Sequence, residues 1–399
     1  MDVFLLLNYY IKPILISSVL FGLAVRLSAE KAFKLKFQDW NEDDDRIRVR
    51  SWYAQANTSI NSTWDISVTG MVDSISGATP WGKPPTQNRD DWLKTLKERR
   101  EAGTISLSST IDDYDFSFEL GRSKESDYLS RSYAVTTSRR FAEDTLTLSS
   151  GISYLDDDVD SDVFGGPYLG ILKRRTPEIF LGLHRIIDPK TTLSLNLTYG
   201  RPKGYLSDPY KQIFNSRTVV LGRDSEGNLI TDLTPNPNPE NRPNKRETFV
   251  AYLEGSRYLE KLDATLESSY RYFTDDSKLS GHTLEFQWFQ RLSDRFILRP
   301  LFRYYLQNPA DFYMVNLDGT KIEPTPQPNG TGPHYYSSDY RLSKLRAKTL
   351  GLKLTYFAKD NLSFDLSIDR YDMKGMDNQT DQRVYPNANI ITVGTQWLF

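Results

Sequence analysis

The stretch from Leu350 to Ile368, LGLKLTYFAKDNLSFDLSI, decides how the whole chain is read. Leu350, Leu352, Leu354 and Tyr356 alternate with Gly351, Lys353 and Thr355. After the polar turn Ala358 to Asn361, Leu362, Phe364, Leu366 and Ile368 alternate with Ser363, Asp365 and Ser367. A period of two sends successive side chains to opposite faces, so each half is a strand with one apolar and one polar face, and the turn joins them as a hairpin. The same unit returns around other short polar turns: SRRFAEDTLTL from Ser138, SRYLEKLDATL from Ser256 and FQRLSDRFIL from Phe289. Further out, Trp64/Ile66/Val68/Gly70/Val72, Leu146/Leu148/Ser150/Ile152/Tyr154 and Leu193/Leu195/Leu197/Tyr199 keep that rhythm.

Which face is inside separates two protein classes. In a soluble sandwich the apolar faces meet each other; in a membrane barrel they meet lipid and the polar faces line the lumen. Many of these segments run about ten residues, the length of a tilted membrane strand. Tyr154, Tyr199, Tyr270, Tyr272, Tyr304, Tyr305, Tyr356 and Tyr371 gather at their ends, as interfacial girdles require. The connections are unequal. Short turns alternate with long segments from Ser76 to Gly103, Asp156 to Arg175, Arg201 to Lys245, Gln307 to Ser343 and Met373 to Asn387. Short periplasmic turns and long extracellular loops are a barrel pattern. The reading is an all-β, closed antiparallel transmembrane barrel of about sixteen strands, from Lys31 to Gln38 and Arg46 to Ala56 through to Ala388 to Phe399. An even count puts both ends in the periplasm. Parity near Trp52, Ile179 and Phe249 is irregular and suggests bulges.

Composition agrees and excludes alternatives. The 399 residues contain 13% aromatics, no Cys and 3 His, so thiolate and zinc chemistry have little to work with. The net charge of -2 supplies no field for nucleic acid. Mean hydropathy is -0.54, and beyond the first thirty residues no apolar run is long enough for a helical span. Before that point, Lys12 precedes the apolar run Pro13 to Val25, and Leu27-Ser28-Ala29 offers small residues for cleavage. Residues 1–29 therefore read as an export signal and 30–399 as one barrel domain. The last strand ends Ile391, Val393, Thr395, Trp397, Phe399 on one face. That terminal aromatic resembles an outer-membrane assembly signal, with Trp397 and Phe399 as its handle for the barrel-assembly machinery.

Four short motifs carry a family resemblance. DSISGATP at Asp73 to Pro80 is followed by SKESDYLS at Ser123 to Ser130, GYLSDPYK at Gly204 to Lys211 and YYSSDYRLS at Tyr335 to Ser343. Together they resemble a family of Gram-negative outer-membrane proteins known as domain of unknown function 3570. The resemblance covers nearly all the mature chain. It implies an outer-membrane barrel among lipid and lipopolysaccharide, and implies no activity.

Chemistry is sparsely encoded. There is no nucleophile elbow, phosphate loop, HExxH or dinucleotide fingerprint, so the expectation is a protein that is not an enzyme and has no cofactor. His184 lies on a strand and reads as a structural histidine, a Ser/His hydrolase pair being the outside alternative. Asp158, Asp160 and Asp162 alternate like a calcium loop but lack its glycine and closing glutamate. Asp91 to Gly103 has the cap and stop of a short loop helix. Strand parity lists the lumen-lining charges. The basic ones are Arg46, Arg48, Arg50, Arg271, Arg299, Arg303 and Lys353, with Lys34 and Lys36. The acidic ones are Asp65, Asp73, Glu267, Glu285, Asp365 and Asp369, with Glu119. A third set, Ser76, Asp127, Tyr128, Asp208, Tyr210, Asp339 and Tyr340, falls in loops that open on one side. Those residues either cap four separate turns or converge over the barrel mouth. Two functions follow: a passive or weakly selective pore for small polar solutes, or a structural or ligand-binding barrel with a closed lumen that acts through its outer loops. No segment is long enough for the plug domain of a larger iron transporter. Neither the solute nor the oligomeric state is encoded legibly.

Overall fold

A computed structural model describes residues 31–161, 169–325 and 330–399. The expected signal segment and Asp162 lie outside the described residues. In chain order the strands are β1 (Ala32–Glu42), β2 (Arg48–Ser59), β3 (Trp64–Pro80), β4 (Leu93–Ile111), β5 (Tyr114–Lys124), β6 (Tyr128–Phe141), β7 (Leu146–Asp160), β8 (Ile171–Asp188), β9 (Thr191–Gly200), β10 (Lys203–Gly204), β11 (Gln212–Arg223), β12 (Leu229–Pro239), β13 (Thr248–Leu259), β14 (Ala264–Asp275), β15 (Ser280–Ser293), β16 (Phe296–Asn308), β17 (Leu345–Lys359), β18 (Leu362–Gly375) and β19 (Asn387–Leu398). β10 is a two-residue bridge to β8, and β11 pairs only with β12 as a separate hairpin. The other sixteen pair antiparallel with their neighbours all the way round, and β19 closes on β1 from Leu398↔Ala32 to Ala388↔Glu42. Closure leaves no sheet edge, so every barrel strand has its backbone groups paired on both sides, the condition for strands to cross lipid.

The alternation resolves as a barrel turned inside out relative to a soluble protein. Leu350, Leu352, Leu354, Phe364, Leu366, Ile368, Ile391 and Val393 point outward and are exposed, as are Leu148, Ile152, Leu195 and Phe302 on other strands. An antiparallel sheet closed on itself behind such a belt is an outer-membrane β-barrel. The irregular parity at Trp52, Ile179 and Phe249 does not correspond to bulges. All three face outward without a register shift, and the shifts in the barrel occur at Ile186/Asp188, Arg291/Ser293 and Phe357/Lys359, beside short turns.

The expected loop helix at Asp91 to Gly103 does not form. Arg89–Asp91 makes one 3₁₀ turn, and the rest is the first half of the nineteen-residue β4. Leu93, Leu96 and Arg100 have helical spacing, but pairing with β3 from Pro80↔Leu93 to Trp64↔Ser109 overrides that local preference. Likewise β3 runs on to Pro80. Several strands thus rise well above a hydrocarbon band that needs only about ten residues.

The inner wall changes character with height. Nearer the short turns it carries charge. Nearer the long loops it becomes a core: Trp40, Val49, Ile75, Leu96, Ala347, Tyr371, Ala388 and Ile390 pack with Tyr210 from the loop after β9. A second cluster joins Trp92, Leu93, Leu345, Val384 and Tyr385 with Tyr340 from the loop after β16. The long loops fold inward over the mouth, because those inner-wall side chains offer them apolar surface to bury.

Candidate functional site

The lower lumen is walled by charges in pairs. Lys353 on β17 meets Asp365 on β18 at 2.6 Å, and Arg303 on β16 meets Glu285 on β15 at 3.7 Å. Glu267, Arg271, Arg299 and Asp369 share this face by strict parity with those residues, and Asp65 takes a 2.7 Å hydrogen bond from Ser59 near the short turns. Arg271 lies over the Phe273 ring and Arg299 over Phe289, at 5.6 and 5.5 Å. The placement of three arginines needs correction. Arg48 and Arg50 share the register face of Trp52, which is outward, and Arg48 donates to Asp39 at 2.9 Å on that outer surface. Arg46 is not on a strand. It is buried under the loops, where Nη1 donates to the Val384 carbonyl at 2.8 Å and Nε faces Glu42 at 3.3 Å. The basic spacing Arg46/Arg48/Arg50 hides a parity in which Val49 and Ser51 are the inward residues.

The octapeptide Asp73 to Pro80 is the upper part of β3. Asp73 is 0% exposed and paired with Arg100 of β4 across the inner wall. Gly77 adopts φ 121°, and a Cβ there would lie 1.9 Å from the Arg46 carbonyl oxygen. Only glycine fits so close a backbone approach at that angle. Pro80 supplies the carbonyl that accepts from Lys211. Ser76 itself faces outward beside Arg48 and is not part of the cap.

Above this, two Asp-Tyr motifs come together. Asp208 caps its own turn by accepting from the Tyr210 amide at 2.9 Å, and Asp339 does the same for the Arg341 amide at 3.1 Å. Their other carboxylate oxygens bind a common guanidinium: Arg341 Nη2 lies 2.6 Å from Asp208 and 2.6 Å from Asp339. Arg242 reaches Asp339 at 2.7 Å and Glu240 at 2.6 Å, while Ser337 donates to Glu240 at 2.5 Å. Lys211 adds the third cation, 5.6 Å from the Tyr340 ring. Three carboxylates, Asp208, Glu240 and Asp339, therefore face Lys211, Arg242 and Arg341 in a buried, charge-balanced cluster. It ties the loop between β9 and β13 to the loop between β16 and β17. Tyr210 extends the tie by donating to Asp127 at 2.6 Å, and Tyr340 packs edge-on against Tyr385, with centroids 5.5 Å apart. Tyr128, under the Arg174 guanidinium at 6.0 Å, flanks the same loops, since Arg174 also donates to the Tyr205 carbonyl. Asp208 and Asp339 thus both cap their turns and meet at one guanidinium, whereas Asp127 is joined to them only through Tyr210 and Ser76 lies apart.

Electrostatics follow from burial and company. For Asp339 burial works upward, but Arg341, Arg242 and Lys211 outweigh it and hold the carboxyl well below its ordinary range. Asp208 is lowered in the same contest. Glu240 is pushed up to about 7 by burial, against Arg242. Glu125, in the short loop before β6, is pushed up to about 8, chiefly by burial. Beside the cluster lies a cavity of about 240 Å³ lined by Lys83, Pro84, Lys211, Tyr313, Tyr340 and Asp381, among others.

The remaining expectations fall elsewhere. Asp158 is engaged by Arg131 at 3.2 Å and by Lys173 on the outer face of β6 to β8, and no three potential ligands gather for a metal among the described residues. His184 Nδ1 sits 2.9 Å from Ser194 Oγ, directly across the β8–β9 ladder. The contact comes from strand register, and among the described residues no carboxylate pairs with the imidazole. Trp397 and Phe399 are exposed, with ring centroids 5.1 Å apart, and the Phe399 amide donates to Lys31. Lys211, Glu240, Arg242, Arg341 and Arg100 are the residues that sequence reasoning passed over. Lys211 and Arg341 each follow an Asp-Tyr motif closely, a legible signal; Glu240 and Arg242 carry none.

The family model described as "Protein of unknown function (DUF3570)" matches residues 90–168 and 170–395. No curated protein matches the chain. Among solved structures it is similar to a loop L8 deletion mutant of OmpT, an outer membrane protein of Vibrio cholerae, with 10% identity over 93% of this chain and 99% of that one, and a TM-score of 0.44. It is similar to a mutant of the ferric enterobactin receptor PfeA from Pseudomonas aeruginosa, with 13% identity over 87% and 54%, and a TM-score of 0.43. It is also similar to a bacterial polysaccharide outer membrane secretin, with 6% identity over 94% and 99%, and a TM-score of 0.47.

Proposed function

The chain belongs to the family of proteins of unknown function DUF3570, and we propose that it is a narrow, weakly selective outer-membrane pore for small polar solutes, in which the loop cap sets what passes. On this reading it is not an enzyme. The observation that carries it is the division of labour along the barrel axis: a charged inner wall below, and a packed cap with a small cavity above. Inward charges of both signs, such as Lys353 with Asp365 and Arg303 with Glu285, suit a hydrated lumen and tune ion preference. The cavity of about 240 Å³ falls below the roughly 300–1,000 Å³ of drug-sized sites, so the permitted solutes are small.

A second reading is a ligand-binding barrel with a closed lumen. What favours it is that the cap's charged groups are almost completely withdrawn from water. Planar-bilayer recording separates the two. The pore reading expects small steady steps from the native protein and larger steps when the cap is loosened by Asp208→Asn with Asp339→Asn. Silence from both proteins, with the barrel folded, would leave the closed barrel.

A further inference from the structure

On the outer surface of β5 to β8 the side chains fall into horizontal rows set by strand register. One row holds girdle aromatics: Tyr133 and Tyr154 are cross-strand neighbours, with Leu120 beside Tyr133 at the same level. Two residues higher on each strand, toward the long loops, the neighbours are Arg122, Arg131, Asp156 and Arg175, and the row continues through β10 as Lys203 and then Lys245. Five cations thus share one level with one carboxylate.

The pairing within that row is unfavourable by itself. Arg122 stands directly opposite Arg131, Arg175 opposite Lys203, and Lys203 opposite Lys245. Like charges at directly opposed positions repel. Arg131 and Arg175 relieve this in part through Asp156, at 3.9 and 3.6 Å. Arg122, Lys203 and Lys245 are exposed, and no ion pair holds them among the described residues. A row of this kind is satisfied by an anion that bridges it, and guanidinium groups bind phosphate in bidentate fashion.

Depth says which anion. Aromatic girdles sit at headgroup level, so a row one step above them lies among the polar headgroups of the outer leaflet. Below the girdle the same four strands carry a row of exposed apolar side chains, Phe118 at 46%, Val135 at 41%, Ile152 at 61% and Ile179 at 56%. A ligand with acyl chains for that strip and phosphate for the row fits both. We propose that this face of the barrel is a docking site for a phosphorylated glycolipid of the outer leaflet, seated with its phosphates on Arg122, Arg131, Arg175 and Lys203.

The test uses the full-length barrel, delipidated in detergent and titrated with bis-phosphorylated lipid A while native mass spectrometry counts the bound lipid. Replacing Arg122→Gln together with Lys203→Gln should weaken retention about tenfold or more. Lys348→Gln, on the outer face of β17, should leave retention unchanged, as a control for general charge. Dephosphorylated lipid should bind the native barrel as weakly as lipid A binds the double variant, and inorganic phosphate should not displace the bound lipid. Heat-dependent gel mobility confirms that each variant is folded. Equal retention by the double variant, or equal binding of dephosphorylated lipid, overturns the site. Displacement by inorganic phosphate also overturns it, because the row would then be a small-anion site and not a lipid dock.

Discussion

Replacing Leu352 by Arg tests the assignment on which everything else rests, that the apolar faces meet lipid. Leu352 is 50% exposed and flanked in register by Pro300 and Ile368, both on the outer face. It lies four residues from Tyr356 toward the short turns and four from Lys348 toward the loops. At roughly 3.3 Å per residue and a tilt near 40°, each interval spans about 10 Å along the membrane normal, which centres Leu352 in a band about 25 Å tall. Arg at the midplane of such a belt costs about 2–4 kcal/mol, falling to about 0–1 near an interface. Urea titration of barrels refolded into vesicles reads the difference. Leu352→Arg should lose about 2–4 kcal/mol, Lys348→Arg should lose almost nothing, and Thr355→Arg, which points inward opposite Asp365, should be tolerated. If Leu352→Arg behaves like Lys348→Arg, or if Thr355→Arg is the costlier change, the inside-out reasoning is refuted.

Three further outcomes follow from particular contacts. Arg341→Met strands Asp208 in a buried site and leaves Asp339 with Arg242 alone, so the cap should lose about 3–5 kcal/mol, seen as rapid proteolysis within the loop between β16 and β17 while gel mobility still reports a folded barrel. Deleting Phe399 removes an exposed ring, so refolding in detergent should be unaffected while outer-membrane levels fall; normal levels would discard the assembly-signal reading. The cap should also respond to pH in two directions. Glu125 is raised to about 8, so its protonated form favours the folded cap, a contribution fully present below its ordinary value near 4.5 and lost as pH rises through about 8. Asp208 and Asp339 are lowered, so their contribution holds above their ordinary value near 3.8 and is lost in stronger acid. Protease protection of the loops should therefore decline between pH 5 and 8, and Glu125→Gln should flatten that decline.

The fold was legible because it depends on local periodicity. The hairpin from Leu350 to Ile368 shows its turn, its strand length and its two faces without reference to any other part of the chain, and the same unit repeats until the sheet can close. Parity also puts Lys353 on one face with Asp365 and Glu285 on one face with Arg303, and these residues pair across neighbouring strands. It failed where the strand leaves the membrane. At Arg48 and Arg50 and along Leu93 to Gly103 charged residues crowd the strand, so the polar-inside rule no longer distinguishes lumen from headgroup region, and β4 is a strand only because β3 pairs with it. The cap was the least legible part. Sequence shows Ser-Asp-Tyr motifs able to cap turns. That Asp208 and Asp339 share Arg341 across 133 and 2 residues, and that Glu240 and Arg242 complete the charge balance, depends on two loops meeting over the barrel mouth. Contacts between residues so far apart in the chain leave no period and no spacing behind; only the closed barrel, by bringing its loop ends within reach of one another, decides which charges find partners.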